Sequence, residues 1–240
     1  MTDTPALEIV DLKYRYPRGS SDAPPDNGTG PEWIVDVPRL TLGPAEQMLL
    51  TGGSGSGKST LLHIIAGLAD PTSGRVNVAG RNIHALHGAA RDLYRGRHVG
   101  MIFQTFNLLH GFSALENVMA ALMFSEIPRH EHKPRAARLL EQLGIKRTSA
   151  KPDELSVGQQ QRIAVARAVA CDPALVLADE PTASLDPENS AGAMDLIQEA
   201  CRDRNAALLC VSHDPSMTSR FQLRASLDQL RTRAATQAHA

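Results

Sequence analysis

The sequence has few aromatic residues and almost no net charge: of 240 residues, 4% are aromatic, and 26 acidic residues face 25 basic ones. A protein that holds DNA or RNA mainly by neutralising phosphates needs an excess of basic side chains. The charge balance therefore argues against direct nucleic-acid binding. The length allows one large domain or a domain with an insertion, and 42% hydrophobic residues is an ordinary globular composition.

Cysteines and long apolar runs are also scarce. The three cysteines are Cys171, Cys201 and Cys210, and they form no C-x-x-C pair, which excludes a disulfide framework and a zinc site. We expect all three to be buried as small apolar residues. No apolar run approaches the 18 residues that span a bilayer, and the first residues lack the apolar stretch of a signal peptide. The sequence therefore predicts a cytoplasmic chain.

Short apolar runs alternate with longer helical patterns along most of the chain, which predicts an α/β fold with a parallel sheet covered by helices. The runs lie at residues 48–50, 99–103, 175–178 and 207–211. We interpret residues 1–240 as a single domain. Turn-forming residues at 17–31 predict a flexible loop between two strands. Helical periodicity from Leu115 to Leu143 predicts a helical insertion, with its boundaries at 105–158. The histidines other than His213, including His130 and His132, are expected to be solvated helix residues.

A glycine-rich segment follows the first of these runs and matches the pattern G-x-x-x-x-G-K-[ST]. Its residues are Gly52, Gly53, Ser54, Gly55, Ser56, Gly57, Lys58, Ser59 and Thr60. In a strand–loop–helix context, the backbone N–H groups of such a loop surround phosphates. Lys58 supplies a positive charge to the β- and γ-phosphates, and the Ser59 hydroxyl can ligate magnesium. The segment predicts binding of a nucleoside triphosphate.

Two adjacent carboxylates, Asp179 and Glu180, end the apolar run at 175–178. Ligands of open α/β sheets bind at the carboxyl ends of the strands. Because neighbouring strand residues point to opposite sides, we expect Asp179 to hold the magnesium shell. Glu180 would then face the γ-phosphate and activate the attacking water as general base.

A third motif, Leu155-Ser156-Val157-Gly158-Gln159, places Ser156 and Gln159 at the spacing of a capping box, so a helix should begin there and run to Ala170. An exposed helix N-terminus with the unhindered Gly158 amide can bind phosphate. The motif resembles the L-S-G-G-Q signature of ATP-binding cassette (ABC) proteins. Val157 replaces the usual glycine of that family, and its β-branched side chain disfavours positive φ.

The resemblance covers roughly residues 7–216 and implies a P-loop NTPase with a RecA-like core and an inserted α-helical subdomain. It also implies that two copies of the chain pair, with ATP and Mg²⁺ between the P-loop of one and the signature of the other. The dimer would drive separate membrane permease subunits from the cytoplasmic face of the inner membrane.

The resemblance assigns four further residues. Gln104 matches the glutamine that reaches the magnesium and links the nucleotide to the helical insertion. Asp186 matches a residue that communicates between the paired cassettes. His213 matches the histidine that contacts the γ-phosphate and steadies the catalytic carboxylate. Tyr16 resembles the aromatic residue that stacks on adenine, with a core aromatic as the alternative.

Details around the motifs are similar to the lipoprotein-release, macrolide-export and cell-division ATPases. We therefore expect an ATPase that drives export or lipoprotein release. The alternative is an ATPase of a cell-division-type signalling complex that moves no solute. A ribosome-factor or DNA-repair ATPase would need a second cassette, a long coiled coil or a zinc insertion, which this sequence does not show.

Overall fold

The computed structural model describes residues 4–16, 33–53 and 55–231. The strands are β1 (Leu7–Tyr14), β2 (Val35–Leu42), β3 (Gln47–Thr51), β4 (Ser73–Val78), β5 (Arg81–Asn82), β6 (Val99–Ile102), β7 (Leu175–Asp179), β8 (Ala207–Val211) and β9 (Leu223–Ser226). The α-helices are α1 (Lys58–Ile65), α2 (Ala89–His98), α3 (Ala114–Leu122), α4 (Arg129–Gln142), α5 (Val157–Val169) and α6 (Pro187–Arg202). Among the described helices, none combines the length and hydropathy needed to cross a membrane.

The strands form two sheets. A parallel sheet has the order β6-β7-β8-β3-β9, and an antiparallel sheet has the order β2-β1-β4-β5. The four apolar runs of the sequence are the strands β3, β6, β7 and β8. The predicted α/β fold with a parallel sheet is therefore confirmed.

Alternation along the parallel strands explains why their apolar runs are continuous. In β3, Leu49 packs with the cluster formed by α3, α4, α5 and α6, whereas Leu50 packs with α1 and the antiparallel sheet. In β7, Val176 packs with the same cluster as Leu49, and Leu177 packs with the same cluster as Leu50. Because both faces of the sheet are covered, every residue of these strands gains by being apolar.

Strands β1 and β2 are antiparallel and pair Tyr14 with Val35 at the end of the ladder. They are the two strands that the sequence analysis placed on either side of the 17–31 loop. That loop itself lies outside the described residues. Strands β4 and β5, which complete this sheet, were not predicted.

The helical stretch 115–143 consists of two helices, α3 and α4. Pro128 is the N-cap of α4 and disfavours helical conformation in the residue before it. Two local predictions need correction. His132 is buried, not solvated, and its Nε2 lies 2.8 Å from the carbonyl oxygen of Ile127. Cys171 is only partly buried. Burial raises the pKa of the Cys171 thiol to about 11 and that of Cys201 to about 12.

Candidate nucleotide-binding and catalytic site

The glycine-rich loop connects the carboxyl end of β3 to the first turn of α1, as its sequence predicts. Gly57 caps α1 with φ of 93°, in the left-handed region that glycine tolerates. A Cβ atom at this position would lie 2.6 Å from the carbonyl oxygen of Ile34. Both the turn and the close approach therefore require glycine. Ser54 lies outside the described residues.

Lys58 is the positive charge of this loop. Its Nζ donates to the carbonyl oxygens of Gly52 at 2.9 Å and Gly53 at 2.8 Å, and its side chain is buried. The ammonium group therefore lies inside the curve of the loop, where a phosphate could replace a carbonyl as acceptor. Ser59 is exposed and Thr60 half-buried in the first turn of α1, beside the free N–H groups of the helix N-terminus.

Asp179 is the last residue of β7, and its Oδ1 is buried without a hydrogen-bond partner. A buried carboxylate oxygen without a donor is costly. Because magnesium prefers hard oxygen ligands, this oxygen fits a nucleotide-bound magnesium ion. No group of three or more His, Cys, Asp or Glu side chains at metal-binding distance occurs in the described residues. The further protein ligands that the sequence predicts are Ser59 and Gln104.

Glu180 lies beyond the strand and has φ of 46°. Its N–H donates to the carbonyl oxygen of Val211 in β8. The direction of Glu180 is therefore set by a left-handed turn held by β8. The strand alternation from which we predicted it does not apply, because β7 has already ended.

The carboxylate of Glu180 accepts three hydrogen-bond contacts from the segment after β8. Oε1 lies 2.7 Å from His213 Nδ1, while Oε2 lies 3.2 Å from Ser212 Oγ and 3.3 Å from the His213 amide nitrogen. The Glu180 side chain is 13% exposed and that of His213 67% exposed. A fixed, nearly buried carboxylate beside an accessible imidazole can accept a proton from water and position a phosphate.

The structure brings Gln104 close to the segment that contains Asp186. The Gln104 side chain is exposed just after β6, and its carbonyl oxygen accepts a hydrogen bond from Ser184 Oγ at 3.1 Å. Asp186 caps α6, since its Oδ1 accepts from the Asn189 amide at 3.0 Å. The structure thus gives Asp186 a local capping role, while its communication between paired cassettes stays a prediction.

Ser156 is the N-cap of α5, with both hydrogen bonds of the predicted capping box to Gln159 present. Gly158 faces open space, since no atom would lie within 4 Å of a Cβ at this position. Val157 is the first residue of the helix, is 49% exposed, and is not among the residues with positive φ. The objection that Val157 disfavours positive φ therefore does not apply in this backbone conformation.

Tyr16 is half-buried and meets Tyr14 edge to face, with ring centroids 5.5 Å apart. This arrangement leaves both interpretations of Tyr16 open. The sequence analysis missed Trp33, whose ring lies 5.6 Å from Lys13 Nζ and 5.4 Å from the Arg15 guanidinium carbon. Trp33 is the single tryptophan of the chain, and this was the only feature of the sequence that could have drawn attention to it.

Arg231 is a second residue whose role was not predicted from the sequence. Its guanidinium donates to the carbonyl oxygen of Ser56 in the glycine-rich loop, at 2.7 Å, and to that of Ile34. Leu227, one turn earlier, is fully buried. The segment after β9 therefore holds the glycine-rich loop in place through the hydrogen bond from Arg231 to Ser56.

Taken with the parallel sheet, the glycine-rich loop and the carboxylates at the end of β7 define a nucleoside-triphosphate-binding protein of the P-loop class. Residues 35–183 match the family model described as ABC transporter. The lipoprotein-releasing system ATP-binding protein LolD of Pseudomonas syringae pv. tomato is 43% identical over 191 residues, which cover 78% of this chain and 84% of the relative. LolD of Geobacter metallireducens is 40% identical over 217 residues, covering 89% and 91%.

Among solved structures, the chain is similar to the dimeric post-hydrolysis state of the ATP-binding cassette MJ0796 bound to ADP and Pi. The TM-score is 0.76 at 29% identity, with 92% of this chain and 93% of that chain covered. The chain belongs to the ABC transporter family. It is an ATP-binding subunit with ATPase activity, as the P-loop and signature motifs predicted.

Proposed function

We propose that two copies of this chain bind two Mg²⁺–ATP between them and hydrolyse the ATP to drive membrane permease subunits that release lipoproteins from a membrane. One observation supports the pairing: the N-terminus of α5 is open at Gly158 and capped by Ser156, so the chain presents a second candidate phosphate-binding element besides the glycine-rich loop. A second copy gives the exposed N-terminus of α5 a phosphate to bind. The dimeric MJ0796 structure supports this arrangement.

Within each site, the residues have separate tasks. Lys58 and the loop amides bind the phosphates, while Ser59, Gln104 and Asp179 hold the magnesium ion. The ion would neutralise charge on the phosphates. Glu180 accepts the proton of the attacking water, and His213 fixes the Glu180 carboxylate and contacts the γ-phosphate. Ser156 and Gly158 of the partner copy close the site. Tyr16 packs on the adenine.

Pairing predicts a nucleotide-dependent change of size. The isolated protein should be monomeric, and Glu180→Gln with Mg²⁺–ATP should be a dimer, because unhydrolysed nucleotide keeps both cross-chain contacts. Adding Ser156→Arg should weaken the dimer at least tenfold while preserving ATP binding, since the glycine-rich loop is unchanged. Light scattering on a sizing column, combined with ATP titration, checks both. A Glu180→Gln/Ser156→Arg protein that dimerises as tightly as Glu180→Gln would place the signature outside the interface.

The permease surface is proposed on the helical insertion, residues 105–158. Large apolar side chains are exposed around it, including Leu109 (43%), Phe112 (47%), Met123 (72%) and Phe124 (46%). Two of them precede α3 and two follow it, and large exposed apolar side chains that lie near one another are typical of protein–protein contact sites. The LolD relatives are named for lipoprotein release, which supports release over the signalling alternative. A peripheral location at the cytoplasmic face of the inner membrane is part of this proposal.

Recovery with membranes tests this surface. Tagged protein from its own cells should co-purify with a permease in mild detergent, and Phe112→Glu with Met123→Glu should lower that recovery at least fivefold, because charges replace apolar contacts. Leu68→Glu is the matched control, since Leu68 is 51% exposed at the end of α1. Mass spectrometry identifies the partner. Equal loss with the control variant, or recovery with ribosomes or repair proteins, would contradict the docking proposal.

A further inference from the structure

The backbone just after Gln104 is strained. Phe106 and Asn107 have φ of 60° and 48°, in the left-handed region that a bulky aromatic residue rarely adopts. Phe106 is nevertheless buried, while Asn107 is exposed. Two consecutive residues in this conformation persist only when their surroundings hold them there.

Arg167 of α5 supplies that restraint. Its Nη2 donates to the carbonyl oxygen of Phe106 at 2.6 Å, and its Nη1 donates to that of Asn107 at 2.5 Å. Burial lowers the pKa of this guanidinium, but arginine stays charged in proteins. One planar, charged fork therefore binds both strained carbonyls at the short distances of charge-assisted hydrogen bonds.

Arg167 also connects three parts of the molecule. It lies on the helix whose first turn is the signature, Ser156 to Gln159. It lines a cavity of about 340 Å³ together with Phe103 and Phe124, on the side of the exposed apolar surface. Its acceptors lie two and three residues after Gln104. The guanidinium thus joins α5 directly to the Gln104 segment.

We propose that Arg167 is a positioning residue that makes residues 104–107 move with α5, so that closure of the signature on nucleotide also moves Gln104 and the docking surface. Only the second half of this inference, the movement of Gln104 and the docking surface on closure, rests on the proposed pairing. The restraint by Arg167 can be measured without nucleotide, so the two halves can be tested separately.

Hydrogen exchange of the amides of residues 105–109 measures the restraint. The amides of Phe106 and Leu109 are hydrogen-bonded, to Phe103 and to the Asn117 side chain, so their exchange reports opening of the segment. Without nucleotide, Arg167→Ala should speed this exchange at least tenfold. Arg167→Lys should give an intermediate rate, since lysine keeps the charge but loses the two-pronged geometry.

Arg162→Ala is the matched control. Arg162 lies on the same helix and donates to a backbone carbonyl, that of Leu143 at 2.9 Å, which is outside the Gln104 segment. Amide hydrogen exchange at residues 105–109 in Arg162→Ala should equal that of the parent protein. Parent-like exchange in Arg167→Ala, or equal acceleration in Arg162→Ala, would overturn the proposal.

In the Glu180→Gln background, Mg²⁺–ATP should slow exchange in the first turn of α5 in every variant. It should slow residues 105–109 in the parent and in Arg162→Ala, but not in Arg167→Ala. A parent-like response of 105–109 in Arg167→Ala would show that the two elements move together without this side chain. If α5 fails to respond even in the parent, the proposed pairing is wrong, while the nucleotide-free result still decides the role of Arg167.

Discussion

Glu180→Gln is expected to lower ATP turnover at saturating ATP by about 100-fold or more, since a positioned general base contributes roughly 10²- to 10⁴-fold. Glutamine has nearly the same shape, but its amide cannot accept the proton of the attacking water. ATP affinity should stay within about threefold of the parent value, because the phosphate-binding groups of the glycine-rich loop are unchanged. Steady-state phosphate release and equilibrium ATP binding measure the two quantities.

Ser212→Ala is the control for this effect. It removes one hydrogen bond to the Glu180 carboxylate, the 3.2 Å contact from Ser212 Oγ, and leaves the proton acceptor in place. We expect a loss of a few fold at most. His213→Ala should lower turnover by itself but add little to Glu180→Gln, since residues that act as a unit have non-additive effects. Turnover of Glu180→Gln within tenfold of the parent would assign the base to another group.

Gly100→Ala is expected to destabilise the fold by about 3 kcal/mol, the upper part of the usual range for overpacking. A Cβ atom at Gly100 in β6 would lie 2.2 Å from the carbonyl oxygen of Ala168 in α5. Both contacting groups are anchored in secondary structure, so no side-chain rotation relieves the overlap. For a chain of this size, that loss lowers Tm by roughly 6–12 °C, measurable by calorimetry.

Gly192→Ala provides the comparison. Gly192 lies within α6, and no atom would lie within 4 Å of its Cβ. Because alanine has the higher helix propensity, this variant should be neutral or more stable by up to about 1 kcal/mol. A Tm for Gly100→Ala within 2 °C of the Gly192→Ala value would show that β6 and α5 do not approach each other this closely.

Much of the fold was predictable because its signals are local. The apolar runs marked β3, β6, β7 and β8, and the order of the motifs placed the glycine-rich loop between a strand and a helix. The capping box of Ser156 and Gln159 set the start of α5 within a single turn of chain. By contrast, β9 has only four residues and none of them is buried, so its sequence is a weak signal and its pairing with β3 identifies it as a strand.

The sequence by itself determined the candidate chemistry of the site: the predicted phosphate-binding residues, the carboxylate pair and the signature depend on residue type and short spacing. Only the tertiary structure decided how these groups are held. Glu180 is oriented by a hydrogen bond to Val211, Arg167 binds carbonyls 60 and 61 residues away, and Arg231 binds one 175 residues away. An arginine side chain can donate to any carbonyl oxygen that the fold brings within reach. No spacing in the sequence therefore identifies its partner.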